Sequence, residues 1–262
     1  MILAKNIPIN GQTSIDHFFA DQFRLLLGLA SSLSIRISLW PECYPVISHM
    51  RKFTLADTIL TQLDGAIRSI IVPEQRITAR ENPGHQHADA TLSNQEKTHT
   101  AGLMRVNHSG EVCAQGLYQG QALTAKLHHV REKMNQAADE EIDHLAWCEQ
   151  RLNELNSNPS ILNPIWYSSS FILGLLAGMA GDKWSLGFVA ETERQVTHHL
   201  ENHIQQLSKK DLRTLAILNQ MHEDESHHAQ SAKDAGAAEL PWVVKALMTS
   251  VSKLMTRTSY HF

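Results

Sequence analysis

Two Glu-x-x-His pairs, Glu141–His144 and Glu225–His228, each trail a lone glutamate. Glu111 lies 30 residues before Glu141, and Glu193 lies 32 before Glu225. Residues three apart share one face of a helix, so each pair can aim a carboxylate and an imidazole at one point. One Glu from each of two helices, with Glu-x-x-His from each of two others, is the ligand set of a di-iron carboxylate centre in a four-helix bundle. The chemistry this pattern predicts is metal-dependent use of oxygen.

The pairs alone carry little weight. With 27 acids and 16 histidines in 262 positions, chance gives 27 × 16/262, about 1.6, acid-x-x-His pairs, whatever helical geometry lends such a pair meaning. The chain has four: Glu96–His99, Glu141–His144, Asp224–His227 and Glu225–His228. Their helix faces separate them. Glu193 interrupts the apolar stripe Leu186, Val189, Val196, Leu200, Ile204, Leu207. Glu225 and His228 continue Leu215, Leu218 and Met221, and Glu141 and His144 follow Met134 and Ala138 and precede Cys148 and Leu152. Glu111 shares a face with Met104, Ala114, Tyr118 and Ala122. A carboxylate in such a stripe is badly desolvated unless it is paired or bound to metal. Glu96–His99 sits in a polar run without an evident partner, and Asp224–His227 lies one step around the helix, so neither is taken as a ligand pair. Glu191 shares a face with Arg194 and Gln195 and reads as solvated.

Buried ion pairs are the alternative, but no Lys or Arg falls on these stripes. Mostly oxygen donors with one imidazole per metal suit iron or manganese better than zinc. Glu140 and Asp224, each just before a pair's Glu, are placed to reach the His of the opposite helix; an exposed helix charge is the competing reading.

The elements that must position these groups are helical. Periodicity predicts helices near 99–127, 130–156, 183–208 and 210–235, an amphipathic helix over 54–71 with Leu55, Ile59, Leu63, Ile67 and Ile70 on one side, and a polar, turn-rich linker over 78–98. No β-type alternation occurs, so the fold class is all-α. At 262 residues and 42% hydrophobic, the chain can bury a sizeable core. A net charge of −4 without a basic patch speaks against nucleic acid. Cys43, Cys113 and Cys148 form no C-x-x-C pair, which argues against a disulfide framework or a thiolate metal site. Residues 1–49 lack a basic start and cleavage site and read as an extension outside the functional fold, with Met50 resembling a fresh start.

Two further stretches are apolar. Residues 171–181 are Gly-rich and too short to span a bilayer, with Trp166, Tyr167 and Trp184 beside them. The tail from Leu240 carries Val243, Val244, Leu247, Met248, Val251 and Leu254 on one side, with Lys245, Lys253 and Arg257 elsewhere. Both suit packing against the bundle or lying in a membrane surface, and in the latter case the substrate is lipophilic.

The segments LMRVNHSGEVCAQGLYQGQAL, DEEIDHLAWCEQRL, GFVAETERQVTHHLENHI and MHEDESHHAQSAKDAGAAELP resemble the demethoxyubiquinone hydroxylase family of ubiquinone biosynthesis. The resemblance covers residues 50–262, with N-H-S/A-G-E, E-x-D-H, E-x-x-x-x-H-H and D-E-x-x-H in order. It implies a ferritin-like four-helix bundle with extra amphipathic, interfacial helices. It implies two iron ions per chain held by Glu111, Glu141, His144, Glu193, Glu225 and His228, with Glu141 and Glu225 bridging. The implied reaction is hydroxylation of the ring of 2-polyprenyl-3-methyl-6-methoxy-1,4-benzoquinol, the penultimate step to ubiquinone, with O2 as cosubstrate and NADH as reductant. No G-x-G-x-x-G turn is present, which leaves entry of electrons through the quinone itself open. His198 and His199, beyond Glu193, are candidates for proton transfer or plain polar helix residues. The implied setting is peripheral, on the cytoplasmic face of a bacterial cell membrane, with other ubiquinone-biosynthesis proteins as partners.

The same six ligands would also serve a ferritin-like iron store or ferroxidase, or a di-iron oxygenase acting on tRNA or a fatty acid. The apolar segment and amphipathic tail, needless in a soluble cage subunit, speak against the store, and the mild negative charge speaks against tRNA. Radical generation for nucleotide reduction would want a Tyr near a ligand, and Tyr118 lies two turns from Glu111. A chain beginning at Met50 is expected to keep full activity; loss of activity there would show that 1–49 matters.

Overall fold

The computed structural model describes residues 54–74 and 76–262, so the expectation for 1–49 lies outside the described residues. Seven α-helices follow in order: α1 (Leu55–Ile70), α2 (Asn94–Thr124), α3 (His128–Glu154), α4 (Asn163–Ala180), α5 (Asp182–Gln206), α6 (Leu212–Asp234) and α7 (Trp242–His261). A single 3-10 turn, Pro83–Gln86, precedes α2. Among the described residues there is no strand, in accord with the all-α reading.

α2, α3, α5 and α6 form the bundle. Asp224 on α6 meets His144 on α3, and His228 meets Glu140, so these two helices run antiparallel. Asn107 meets His203 and Tyr118 meets Glu193, so α2 and α5 do likewise. The direction is therefore up, down, down, up. That order needs one long crossover between its second and third helices, the connection typical of ferritin-like folds. α4 is that crossover. It lies parallel to α2 at close range, because a Cβ on Gly120 would strike the backbone at Phe171 and one on Gly174 the backbone at Leu117. The apolar, Gly-rich residues 171–181 are thus the second half of α4 and its junction with α5 at Gly181, where φ is 117°. Glycine alone tolerates that value without strain.

Caps explain the boundaries. α2 begins at Asn94, five residues earlier than periodicity predicts, because Ser93 and Glu96 form a capping box. Glu96 therefore has a structural partner, and His99 has one too, through its Nδ1 and the Tyr260 hydroxyl at 2.7 Å. α3 starts at His128 with no cap of its own; Asp182 at the head of α5 instead accepts from the Lys126 and Leu127 amides.

The core has two apolar layers. One holds Met104, Trp147, Leu152, Leu200, Leu218 and Met221, and the other Tyr118, Met134, Leu186 and Val189. The six candidate ligands fall between them along the helices.

α1, α4 and α7 pack around α2. Each turns apolar side chains outward: Leu55, Ile59 and Leu63 on α1, Ile165, Ile172, Leu176 and Met179 on α4, and Trp242, Leu247 and Leu254 on α7. The stripe expected along α1 is therefore largely unburied. Packing on the bundle falls to Ala66, Ser69 and Ile70. No helix among the described residues is long and apolar enough to cross a membrane.

Candidate metal centre

Glu111 on α2, Glu141 and His144 on α3, Glu193 on α5, and Glu225 and His228 on α6 point into the space enclosed by the four helices. All four glutamates are buried, as is His144, and His228 is nearly so. The donor atoms converge. His144 Nδ1 lies 2.7 Å from Glu141 Oε2, 3.1 Å from Glu225 Oε1 and 3.9 Å from Glu111 Oε2. His228 Nδ1 lies 3.2 Å from Glu141 Oε1 and 3.1 Å from Glu225 Oε2. Glu141 and Glu225 therefore each turn one oxygen toward each imidazole. Atoms of Glu111, Glu141, His144 and Glu225 lie within 4.8 Å of one another, close enough to hold one cation.

Each outward ring nitrogen is anchored. His144 Nε2 meets Asp224 Oδ2 at 2.9 Å, and His228 Nε2 meets Glu140 Oε2 at 2.7 Å, both across the α3–α6 seam. These are the two carboxylates the sequence singles out for this role. A carboxylate on the far nitrogen fixes the ring and its tautomer, leaving Nδ1 as donor to a cation.

The charges are the unusual feature. Among the described residues eight acids are buried. Four have an arginine: Asp143 with Arg80, Glu149 with Arg76, Glu191 with Arg194 and Asp211 with Arg151. Glu191 is thus buried rather than solvated, although its partners Arg194 and Gln195 are those its helix face predicts. The other four, Glu111, Glu141, Glu193 and Glu225, have only the two imidazoles. Burial, with the charges of Glu141 and Glu225, pushes the Glu111 carboxyl well above the ordinary range. Burial and the same two neighbours push Glu193 up as well. Burial opposes ionisation of Glu141 too, but His144 and His228 outweigh it and hold its carboxyl down. Burial opposes charge on the imidazoles, yet the carboxylates raise both, His228 to about 12. Without metal the cluster balances its charge with protons. A cation bound by these donors would have to displace them.

The donor set could hold metal. It offers six donors, one imidazole to each side and two carboxylates shared between the sides. Glu141 Oε1 is also a buried oxygen without a hydrogen bond of good geometry.

Along α2 itself, Tyr118 lies two turns from Glu111. The fold brings its buried hydroxyl onto Glu193 of the facing helix as a donor. Separation within one helix carries no information about the helix opposite. Arg80 was missed altogether. It comes from the loop before α2, where no periodicity marks it, and it donates to Asp143 Oδ2 at 2.9 Å and Asp224 Oδ2 at 2.8 Å. His198 contacts Glu201, and His199 stacks edge-on to His203 with ring centroids 3.8 Å apart. Their contacts run away from the six residues.

The N-H-S-G-E segment also finds its use. Asn107 holds His203 at 2.9 Å, while His108 and Ser109 both reach Asn163 at the start of α4, at 3.1 and 2.8 Å. The residues before Glu111 thus pin the crossover helix to α2.

The family model described as ubiquinone biosynthesis protein COQ7 matches residues 98–259. A Legionella pneumophila (strain Corby) protein named 3-demethoxyubiquinol 3-hydroxylase is 60% identical over 212 residues, covering 81% of this chain and 100% of that relative. A protein of the same name from Acinetobacter baumannii (strain SDF) is 58% identical over the same length, with the same coverage.

Tyr118→Phe is expected to destabilise the metal-free protein by roughly 1–3 kcal/mol, the cost of depriving a buried polar group of its partner. Denaturant titration reads this directly, and an unchanged midpoint would show that the bond to Glu193 carries no stability.

Proposed function

The chain belongs to the COQ7 family of ubiquinone biosynthesis proteins, and we propose that its buried Glu/His cluster is a di-iron centre that hydroxylates the ring of a polyprenylated methoxybenzoquinol with O2. The protein is a hydroxylase of ubiquinone biosynthesis. The finer statements rest chiefly on one observation: four buried carboxylates have no Lys or Arg ion pair among the described residues, three of them converge on two imidazole Nδ1 atoms, and every other buried acid there has its arginine.

In this reading Glu111, Glu141, His144, Glu193, Glu225 and His228 would hold the iron. Bound iron supplies the redox chemistry with O2 that carbon, nitrogen and oxygen side chains cannot supply. The protein's share is positioning. Asp224 and Glu140 hold the imidazoles with Nδ1 inward. The carboxylates offset the positive charge of the metals. The apolar layers above and below keep bulk water from the reacting atoms. Tyr118 holds Glu193 through its hydroxyl. NADH is the proposed source of electrons.

The quinol's polyprenyl tail accounts for the outward apolar side chains of α1, α4 and α7. Exposed Leu, Ile, Met and Trp on three helices that pack on α2 are side chains of the kind that lie on a bilayer without spanning it. We place the protein peripherally at the cytoplasmic face of the cell membrane, in reach of its lipid substrate and of other ubiquinone-biosynthesis proteins.

The full chain, expressed in cells lacking their quinol hydroxylase, is expected to restore ubiquinone and to carry two irons, whereas Glu193→Ala restores none. Equal ubiquinone from both proteins would sink the catalytic assignment of the centre. In the same cells, Trp242→Glu with Leu247→Glu is expected to move the protein from the membrane fraction to the soluble one with its iron retained. Unchanged partition would remove the membrane part of the reading.

A further inference from the structure

We infer that the two metal positions are unequal: the position served by His144 is preorganised by Arg80 and fills first, and the position served by His228 fills second. This rests on the di-iron reading above and deepens it.

The two halves of the site descend from one doubled sequence pattern, yet their surroundings differ. On the first side, Asp224 accepts from His144 Nε2 and is itself held by the Arg80 guanidinium at 2.8 Å and by Gln220 at 3.1 Å. Arg80 in turn grips Asp143, whose other oxygen accepts the Ala79 amide at 2.8 Å, so the loop is fastened at the same point. The guanidinium also lies over the Trp147 ring at 4.9 Å, and that ring packs against the His144 imidazole with centroids 5.3 Å apart. His144 has no solvent exposure.

On the second side, Glu140 anchors His228 Nε2, but Glu140 is 41% exposed and its other contact is Gln136 at 2.8 Å. His228 itself keeps 10% of its exposure. The doubled pattern breaks two residues after each pair's Glu. Asp143, which receives Arg80, is matched on α6 by His227, an exposed side chain near Ser231. No second arginine is therefore recruited at that place.

The lone glutamates differ in the same sense. Glu111 already belongs to the group whose donor atoms converge within 4.8 Å, with Glu141, His144 and Glu225. Glu193 lies outside that group and has one oxygen engaged by the Tyr118 hydroxyl. A site whose donors are already in place binds without the cost of reorganising them, so the His144 position is the tighter one. Arg80 touches no candidate ligand. It acts through Asp224 and Asp143 and is a positioning residue.

The test is anaerobic titration of the metal-free full chain with Fe(II), followed by calorimetry and, with 57Fe, by Mössbauer spectroscopy. The expected result is two equivalents, the first at least about tenfold tighter, with a single quadrupole doublet when one equivalent has been added. Arg80→Ala is expected to weaken the first equivalent by about 10- to 100-fold, the usual cost of losing a residue that orients a ligand, while leaving the second little changed. Two doublets then appear together at one equivalent. Arg80→Lys should recover only part of the loss, since a point charge cannot fork onto both carboxylates. Should Arg80→Ala fail to fold, Asp224→Asn cuts the same link from the other end and is expected to weaken the same equivalent. Two equivalents of equal affinity in the unaltered chain, or a variant that weakens both alike, would overturn the inference and leave the di-iron reading standing. Fewer than two equivalents would overturn both.

Discussion

Burying four carboxylates in one bundle interior without an arginine is the constraint around which this bundle is built. Each would lose several kcal/mol of hydration if left charged and alone. Elsewhere the protein meets this cost with arginine, at Asp143, Glu149, Glu191 and Asp211. At the centre it withholds arginine and supplies two imidazoles instead. The consequence is a site that is neutral only with extra protons or with cations. Both apolar layers of the core are needed to keep it so, because water between the helices would screen the charges and relax the demand.

Outer elements are arranged to serve that centre. The N-H-S-G-E residues fasten α4 to α2, and glycines at 116, 120, 174 and 178 let the two backbones approach closely. The crossover that an up-down-down-up bundle requires is thus held tight against the helix bearing Glu111. The loop before α2, which carries no helical period, contributes Arg76 to Glu149 and Arg80 to Asp143 and Asp224. Polar and turn-rich in composition, it works as a strap across the α3–α6 seam through Arg80.

The apolar surfaces of α1, α4 and α7 show how far periodicity alone can lead. Leu55, Ile59 and Leu63 obey the spacing of a buried stripe, and they are exposed. The tail and α4 left packing and interfacial readings open, and the fold gives part of each: Tyr167, Gly174 and Gly178 pack inward while Ile172, Leu176 and Met179 face out. Glu191 illustrates the opposite error. Its local partners were legible, but the approach of Lys245 on α7 to within 3.9 Å was not.

The six central side chains were legible in the chain itself, because a carboxylate at the core position of an amphipathic stripe is a local contradiction that spacing exposes. The helical class and the doubled Glu, Glu-x-x-His order were legible for the same reason: both are set by residues within a few turns of one another. Family resemblance implies the substrate and the bridging roles proposed for Glu141 and Glu225, which no periodicity contains. Glu140 and Asp224 were placed as anchors of the imidazoles by the sequence as well; what only the tertiary structure decided is where Tyr118 and Arg80 end up. Tyr118 on Glu193 and Arg80 on Asp224 join positions 75 and 144 residues apart. Such contacts depend on how helices cross and where a loop returns, and a loop residue without a period leaves no trace of its destination in its own neighbourhood. The pattern along the chain is doubled and nearly symmetric, and packing makes its two halves different.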